Sequence, residues 1–511
     1  MMLRSFSVDP DSNYLIDESK MRGTAEKIFF PRNEKEICEI VKSIDSENSS
    51  ITTSAMRTGV CGGAVPNGGA LLSLERMNHI IGIGYDNGYF VRVEPCVTVK
   101  QLGDMLLLKH IDGLSDITEN AVKRFTSDSK KYFYPIDPTE ISGSLGGNTA
   151  TNASGPRTLK YGPTRNWVYG LRVVLHDGTS IDIPRGKYFA KGRHFNTVVD
   201  GTHLEFDVPS YDYNTSVKNA TGLFSKEDMD LIDVFIGSEG LLGVFSSIDV
   251  RLTEWHPLVS NIMFFHNDGS ALNFISDIKH NRKISPEFLE YFDCGSIKLI
   301  RNSFSDDPNI LCPPKDAGSA VFFDLAEDED LMKTYDIIIS IAEKYGGCAK
   351  KSWSSSDRRD RERMFKFRHA VPQAIFAYVA SLKDNMPDIH KFGTDMSVPE
   401  DKSEEMLDYY SQELKKNDLE YVIFGHMGND HPHVEIILKD MIDFKKAKAV
   451  CIKFAIKAIE LGGSPSAEHG IGKIKKEYIK MMYNEKGLNE MKAVKRYFDP
   501  KNIFCPGNML E

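Results

Sequence analysis

The sequence predicts an α+β protein, and three observations carry that prediction. Short β-like runs alternate with glycine-rich turns up to about residue 252, segments of helical period lie among them, and after Leu252 the composition shifts to longer amphipathic stretches with interspersed strands. At roughly 150 residues per domain, 511 residues make about three folding units. The shift in composition places a boundary near 255, which divides the chain into residues 1–255 and 256–511.

The first helix starts after Asn33, which can cap it. Glu36 follows three residues on, as in a capping box, and Ile37, Ile40, Val41 and Ile44 form one apolar stripe. Strands are expected at Ala70–Leu74, Phe90–Val93, Gly170–Leu175 and Leu231–Ile236, with Asp177-Gly178 as a hairpin turn. Residues 183–222 are polar, aromatic and irregular, and read as an insertion. Further strands are expected at Ala320–Leu325 and Tyr421–Phe424. A last helix is expected from about Lys473 to Phe498, broken near Gly487.

Composition narrows the function classes. Hydrophobic residues are 41% and charged residues 27%, which is ordinary globular usage. The net charge of −10 disfavours a nucleic-acid-binding surface. No apolar run approaches the ~18 residues of a transmembrane helix, and the N-terminus lacks an apolar signal core. Eight scattered cysteines without a Cys-x-x-Cys pair fit reduced thiols in a cytoplasmic protein and argue against an iron–sulfur cluster held by this chain.

Three glycine-rich runs stand out: Arg57–Ala64, Ser142–Gly155 and Gly237–Gly243. Glycine lacks a Cβ, so successive backbone N–H groups can turn inward and face an anion. One such run is ordinarily a tight turn. Three in one half of the chain point to a large phosphorylated cofactor. Neither a Gly-x-Gly-x-x-Gly after a first strand nor a Gly-x-x-x-x-Gly-Lys loop is present, so Rossmann nicotinamide binding and P-loop hydrolysis lose support.

Thr58–Pro66 followed by Leu72–Asn78 resembles the pyrophosphate loop of flavin-linked D-lactate and glycolate dehydrogenases. Pro135–Thr139, Gly146–Asn152, Gly155–Gly162 and Asp233–Gly240 resemble further blocks of that family, and the likeness runs from about Asp17 to Leu510. It implies the vanillyl-alcohol-oxidase-type fold: a two-subdomain PCMH-type FAD-binding domain followed by an α+β cap (FAD-linked oxidase C-terminal) domain. By that resemblance, FAD would be held by Thr58, Gly59, Val60, Cys61, Gly62, Gly63, Ala64, Pro138, Thr139, Gly143, Gly146, Gly147, Asn148, Asn152, Ser154, Gly155, Glu239, Gly240, Gly243 and Val244. Relatives that tether the flavin often use a histidine in the first loop. Thr58 stands in that neighbourhood, which implies non-covalent FAD. Ser54-Ala55-Met56-Arg57 departs from the Arg-Gly-Gly-Gly stretch of many relatives, and Cys505 sits where asparagine is common.

In the second half, His426 and His433 flank Gly428 and Pro432, residues that make an uninterrupted helix improbable. A strand ending in a turn would bring both imidazoles to one point, with His431 between them as a decoy. Glu468, in Ser466–Gly472, would complete a two-histidine, one-carboxylate set with open coordination positions. His469 beside it suits proton transfer near neutral pH. Taken alone, each of these pieces reads as structural. Together they resemble the catalytic cap of 2-hydroxy-acid dehydrogenases of the same family, which implies a divalent metal on His426, His433 and Glu468 and His469 as base. Asn429-Asp430-His431 replaces the commoner Asp-Gly-Asn, and Ala467 a frequent glycine. Arg368, catalytic and substrate-binding, and Lys391, substrate-binding, would orient a carboxylate.

The expected activity is FAD-dependent, metal-assisted oxidation of a small D-2-hydroxy acid, such as D-lactate, glycolate or 2-hydroxyglutarate, to the 2-oxo acid. Zinc, manganese and ferrous iron all suit the ligand set. Electrons would pass to a separate acceptor: a quinone, a cytochrome, an electron-transfer flavoprotein or an iron–sulfur subunit. The protein would be cytoplasmic, with membrane attachment only through a partner. The competing readings are a non-catalytic flavin electron-relay subunit, which needs none of the cap histidines, and a metal-dependent hydrolase, which would purify colourless.

Overall fold

The computed structural model describes residues 5–111, 113–138, 140–386 and 389–510. Three sheets organise the chain. The first runs in the order Ser5–Ser7, Lys27–Phe29, Ala70–Ser73, Ile51–Ser54, the last three strands parallel. Against it packs the helix Glu34–Ser46, capped by Asn33, whose side chain accepts from Glu36 N. Its buried stripe is Ile37, Ile40, Val41 and Ile44, each burial contributing about 1.5–3 kcal/mol.

The second sheet has six strands, ordered Ser180–Pro184, Val168–Val174, Val244–Arg251, Tyr89–Val93, Ile80–Tyr85, Ser115–Asp116. Val168–Val174 and Ser180–Pro184 form the expected hairpin, with Gly178 at φ +76° in its turn. The run Leu231–Ile236 is not a strand: Ile232–Phe235 is one helical turn. Its residues are buried on every side, so apolar content carries no period to separate strand from helix. Buried Arg165 settles the turn by donating to the carbonyls of Asp233 and Ile236.

The third sheet has seven strands, ordered Trp353–Ser355, Leu258–Phe265, Ser319–Ala326, Leu289–Phe292, Glu420–His426, His431–Ile437, Phe392–Gly393. It carries its own apolar core with Phe274, Phe292, Phe367 and Phe454. Residues 252–257 connect the second and third sheets.

One segment departs from the sequence expectation. Residues 183–222 include a regular hairpin, His194–Val199 with Thr202–Asp207, before an irregular stretch in which Lys218–Thr221 is buried. The last helix, Lys476–Phe498, is broken near Gly487 as expected, the kink falling at Asn484 (φ +56°). There Asn484 Oδ1 accepts from Lys486 N and Gly487 N, capping a second helical segment. That helix returns to the N-terminal half, where Ile479, Met491 and Phe498 share a core with Phe235 and Phe245. Among the described residues, no helix is long and apolar enough to cross a membrane.

Candidate active site

The glycine-rich turns come together through their backbones. Gly237 N and Glu239 N donate to Thr149 O and Ala150 O, which joins the third run to the second. Asn508 Nδ2 donates to Gly63 O at 3.0 Å and Glu239 O at 3.3 Å, which ties both to the first. A Cβ on Gly143 would stand 3.5 Å from Thr58 Oγ1, and one on Gly155 would overlap Asp137 O. A Cβ on Gly59 would meet nothing within 4 Å. Asn148 Nδ2 is buried there without a hydrogen-bond partner, a donor suited to a bound flavin. Thr58–Ala64, Gly143, Gly146, Gly147, Asn148, Asn152, Ser154, Gly155, Glu239 and Gly240 lie on these joined segments, Pro138 packs beside Gly155, and Thr139 falls outside the described residues. Val244 instead turns its side chain into the apolar cluster with Val174 and Leu72, and a Cβ on Gly243 would strike Val173. A Cβ on Gly240 would stand 2.9 Å from Cys505 Sγ.

In the third sheet, the strands Glu420–His426 and His431–Ile437 pair antiparallel with His426 opposite His431 and Phe424 opposite His433. Gly425 between them is required: at φ +109°, a Cβ would come within 2.8 Å of the His433 ring. Glu468 arrives from the segment before the last helix. Potential ligand atoms of His426, His431, His433 and Glu468 all lie within 4.8 Å of one another, and His426 Nε2 is 3.3 Å from Glu468 Oε2. His431, the decoy of the sequence reading, is therefore part of the cluster. His431 and His433 stand two apart on the strand His431–Ile437 and so share a face, and His426 lies directly opposite His431.

Two carboxylates outside the ligand set build the surroundings. Glu290, 2% exposed, accepts from His426 Nδ1 at 2.5 Å and from Arg368 Nε at 3.1 Å, so His426 presents Nε2 to the cluster. His433 Nδ1 points at Thr394 O, 3.2 Å away, which leaves its Nε2 facing inward. Asp395 arranges the other side: its oxygens accept from Glu468 N, His469 N and Ser466 Oγ and pair with Lys475. His469 Nδ1 lies 3.2 Å from Asp395 Oδ2, and its ring, 38% exposed, is parallel to that of His433 at 6.0 Å. Lys391 is placed apart from Arg368, paired with Glu435 at 2.5 Å beside the Phe376 ring.

The electrostatics suit a cation. Burial pushes His431 down to about 4, and burial with the neighbouring imidazoles pushes His433 well below the ordinary range, so both stay neutral. Burial alone would raise the Glu468 carboxyl, but His426 and Lys218 hold it well below the usual carboxylate range. Against burial, Glu290 and Glu468 raise the His426 imidazole, so it would have to give up its proton to a bound ion. By contrast, His431 and His433 are neutral, Glu468 is ionised and the His431 nitrogens lack aligned hydrogen bonds.

Glu290, Asp395, Thr394 and Lys218 went unmarked in the sequence reading. No spacing rule singles out Asp395 or Thr394. Glu290 and Lys218 sit in strand and loop contexts that carry no motif.

Residues 25–113 and 121–183 match the model of the FAD binding domain, and residues 259–509 match that of the FAD linked oxidases, C-terminal domain. The chain is 29% identical to the glycolate oxidase subunit GlcD of Bacillus subtilis (strain 168), over 94% of this chain and 88% of that protein. It is 27% identical to a D-lactate dehydrogenase of Anaerostipes hadrus, over 98% and 93%. A 4-ethylphenol oxidase from Gulosibacter chungangensis shares the fold at TM-score 0.61 and 15% identity, over 96% of this chain and 90% of that one.

Proposed function

Because the chain belongs to the FAD-linked oxidases, carrying their FAD binding domain ahead of their C-terminal domain, we propose that it oxidises a small D-2-hydroxy acid to the 2-oxo acid with the help of a divalent metal. The single observation that carries this reading is the buried cluster of three imidazoles and one carboxylate beside His469. The names of the relatives, which include glycolate oxidase and D-lactate dehydrogenase, support the substrate class.

His426, His431, His433 and Glu468 would hold the ion, and the joined turns would hold FAD non-covalently. When bound, FAD supplies a hydride acceptor, and the ion supplies a Lewis acid that lowers the substrate hydroxyl pKa. The chain's own residues do the rest. Asp395 orients His469 through Nδ1, so its Nε2 takes the hydroxyl proton. Arg368, anchored on Glu290, would hold the substrate carboxylate and fix the face that Cα presents. Lys391 is held by Glu435 and would contribute charge at longer range. Electrons leave to a separate acceptor, and a cytoplasmic location accords with eight unpaired thiols.

Anaerobic mixing of the FAD-loaded protein with D-lactate, glycolate and D-2-hydroxyglutarate tests the reading. Flavin bleaching by at least one acid, slowed by a chelator, is expected. Absence of bleaching with every acid would leave an electron relay as the better description, and bleaching indifferent to the chelator would remove the metal.

A further inference from the structure

The irregular segment 183–222 sends one charged side chain into the active-site cluster. Lys218 is 6% exposed, and its ammonium lies 2.5 Å from Glu468 Oε1 and 2.8 Å from Gly155 O. Ser154 Oγ reaches the same oxygen of Glu468 at 3.2 Å. Oε1 also lies 3.8 Å from His431 Nδ1, while the second oxygen, Oε2, faces His426 Nε2 at 3.3 Å with neither Lys218 nor Ser154 on it. The two oxygens of one carboxylate are thus divided between two tasks.

Lys218 is not placed there by its own flexibility. Its carbonyl accepts from Ser397 Oγ, Asn219 Oδ1 accepts from Ser464 Oγ, and Ala220 N donates to Ser466 O. The segment is stitched on both sides to the strand-like stretches that carry Asp395 and Glu468. Meanwhile the Nζ–Gly155 bond reaches the turn whose glycine packs on Asp137 O. Burying an ammonium is costly even when it is paired, and Lys218 shares its one carboxylate partner, Glu468, with His426.

The geometry points to Lys218 as a positioning residue that holds Glu468 Oε1, restricts that carboxylate to one-oxygen ligation, and so keeps a coordination position open for the substrate. This rests on the metal reading given above. The physical argument is direct. A carboxylate with both oxygens unclaimed can take a divalent ion through two oxygens, which raises the coordination number and closes a position that a catalytic site leaves open. An ammonium on one oxygen prevents this, and its positive charge also weakens the hold on a second cation nearby. Lys218 thereby trades ion affinity for an open position, and the segment that carries it becomes part of the active site rather than a peripheral insertion.

The test uses the full-length, FAD-loaded protein and Co²⁺ as the probe, read on the long-wavelength side of flavin absorption. Lys218→Met is expected to bind Co²⁺ about tenfold more tightly than the unaltered protein. Its visible cobalt band should weaken as the coordination number rises, and glycolate should then perturb that band less. A merely structural role would do the reverse, since a damaged site binds ions less tightly. Lys218→Leu, which likewise removes both the donor and the charge and is expected to give the same changes, is measured in parallel and carries the test should the methionine variant lose flavin or unfold. Affinity that is unchanged or weaker in the folded variant, with an unchanged cobalt spectrum, overturns the proposal while leaving the metal reading intact. Failure of the unaltered protein itself to bind Co²⁺ overturns the metal reading and this one with it.

Discussion

Glu290 and His426 are bonded through Oε1 and Nδ1 at 2.5 Å, and the other oxygen of the same carboxylate accepts from Arg368. One buried acid therefore orients a proposed metal ligand and a proposed carboxylate anchor together. Burial alone would raise Glu290, yet His426 and Arg368 hold it well below the usual carboxylate range.

Glu290→Gln should lower metal affinity about 10–100-fold while flavin content is kept, because partners behind a ligating imidazole set its tautomer and basicity. Titration of the FAD-loaded protein with Mn²⁺ or Zn²⁺ reads this. Equal affinities in both proteins would show that the Glu290–His426 bond does not prepare a ligand.

His469→Ala should slow flavin reduction by hydroxy acid about 100- to 10,000-fold, the range expected on losing a general base. Stopped-flow absorbance at equal flavin occupancy measures the step directly. A native rate in the variant would require another proton acceptor.

Glu239 accepts from Ile471 N at 2.6 Å and Gly472 N at 2.7 Å, which fixes the segment entering the last helix against the N-terminal half. Glu239→Gln offers one oxygen to two donors, so unfolding free energy should fall by about 1–3 kcal/mol. Denaturant unfolding with flavin-release fluorescence would show it, and a variant as stable as the parent would assign the clamp elsewhere.

Glu34 pairs with Arg172 at 2.7 Å and accepts from Ser246. The Arg172 guanidinium, outweighing burial, lowers its carboxyl from 4.5 to about 2. A depressed carboxyl adds stability above its unfolded value, and that stability is lost as pH falls from about 4.5 towards about 2. The pair is partly exposed, so screening limits the effect to about 1–2 kcal/mol. Glu34→Gln should be less stable near neutral pH, with the gap closing on acidification. A gap independent of pH would mean that the charge of Glu34 contributes nothing.

Local chemistry was enough to read much of this protein from its sequence. Asn33 and the stripe Ile37–Ile44 determine a helix and Asp177-Gly178 a hairpin, while the three glycine runs and the residues His426, His433 and Glu468 stand out in the sequence and take their proposed roles from the family resemblance. Each of these depends on residues near one another along the chain, or on a residue type suited to one chemistry. Only the tertiary structure set Glu290 against His426, Asp395 against His469 and Lys218 against Glu468, and brought His431 into the cluster proposed as the site. Their roles arise from hydrogen bonds and burial between segments up to 250 positions apart, as between Lys218 and Glu468. A buried charge is meaningful only through the partner that compensates it, and that partner is chosen by packing, which no spacing along the chain records.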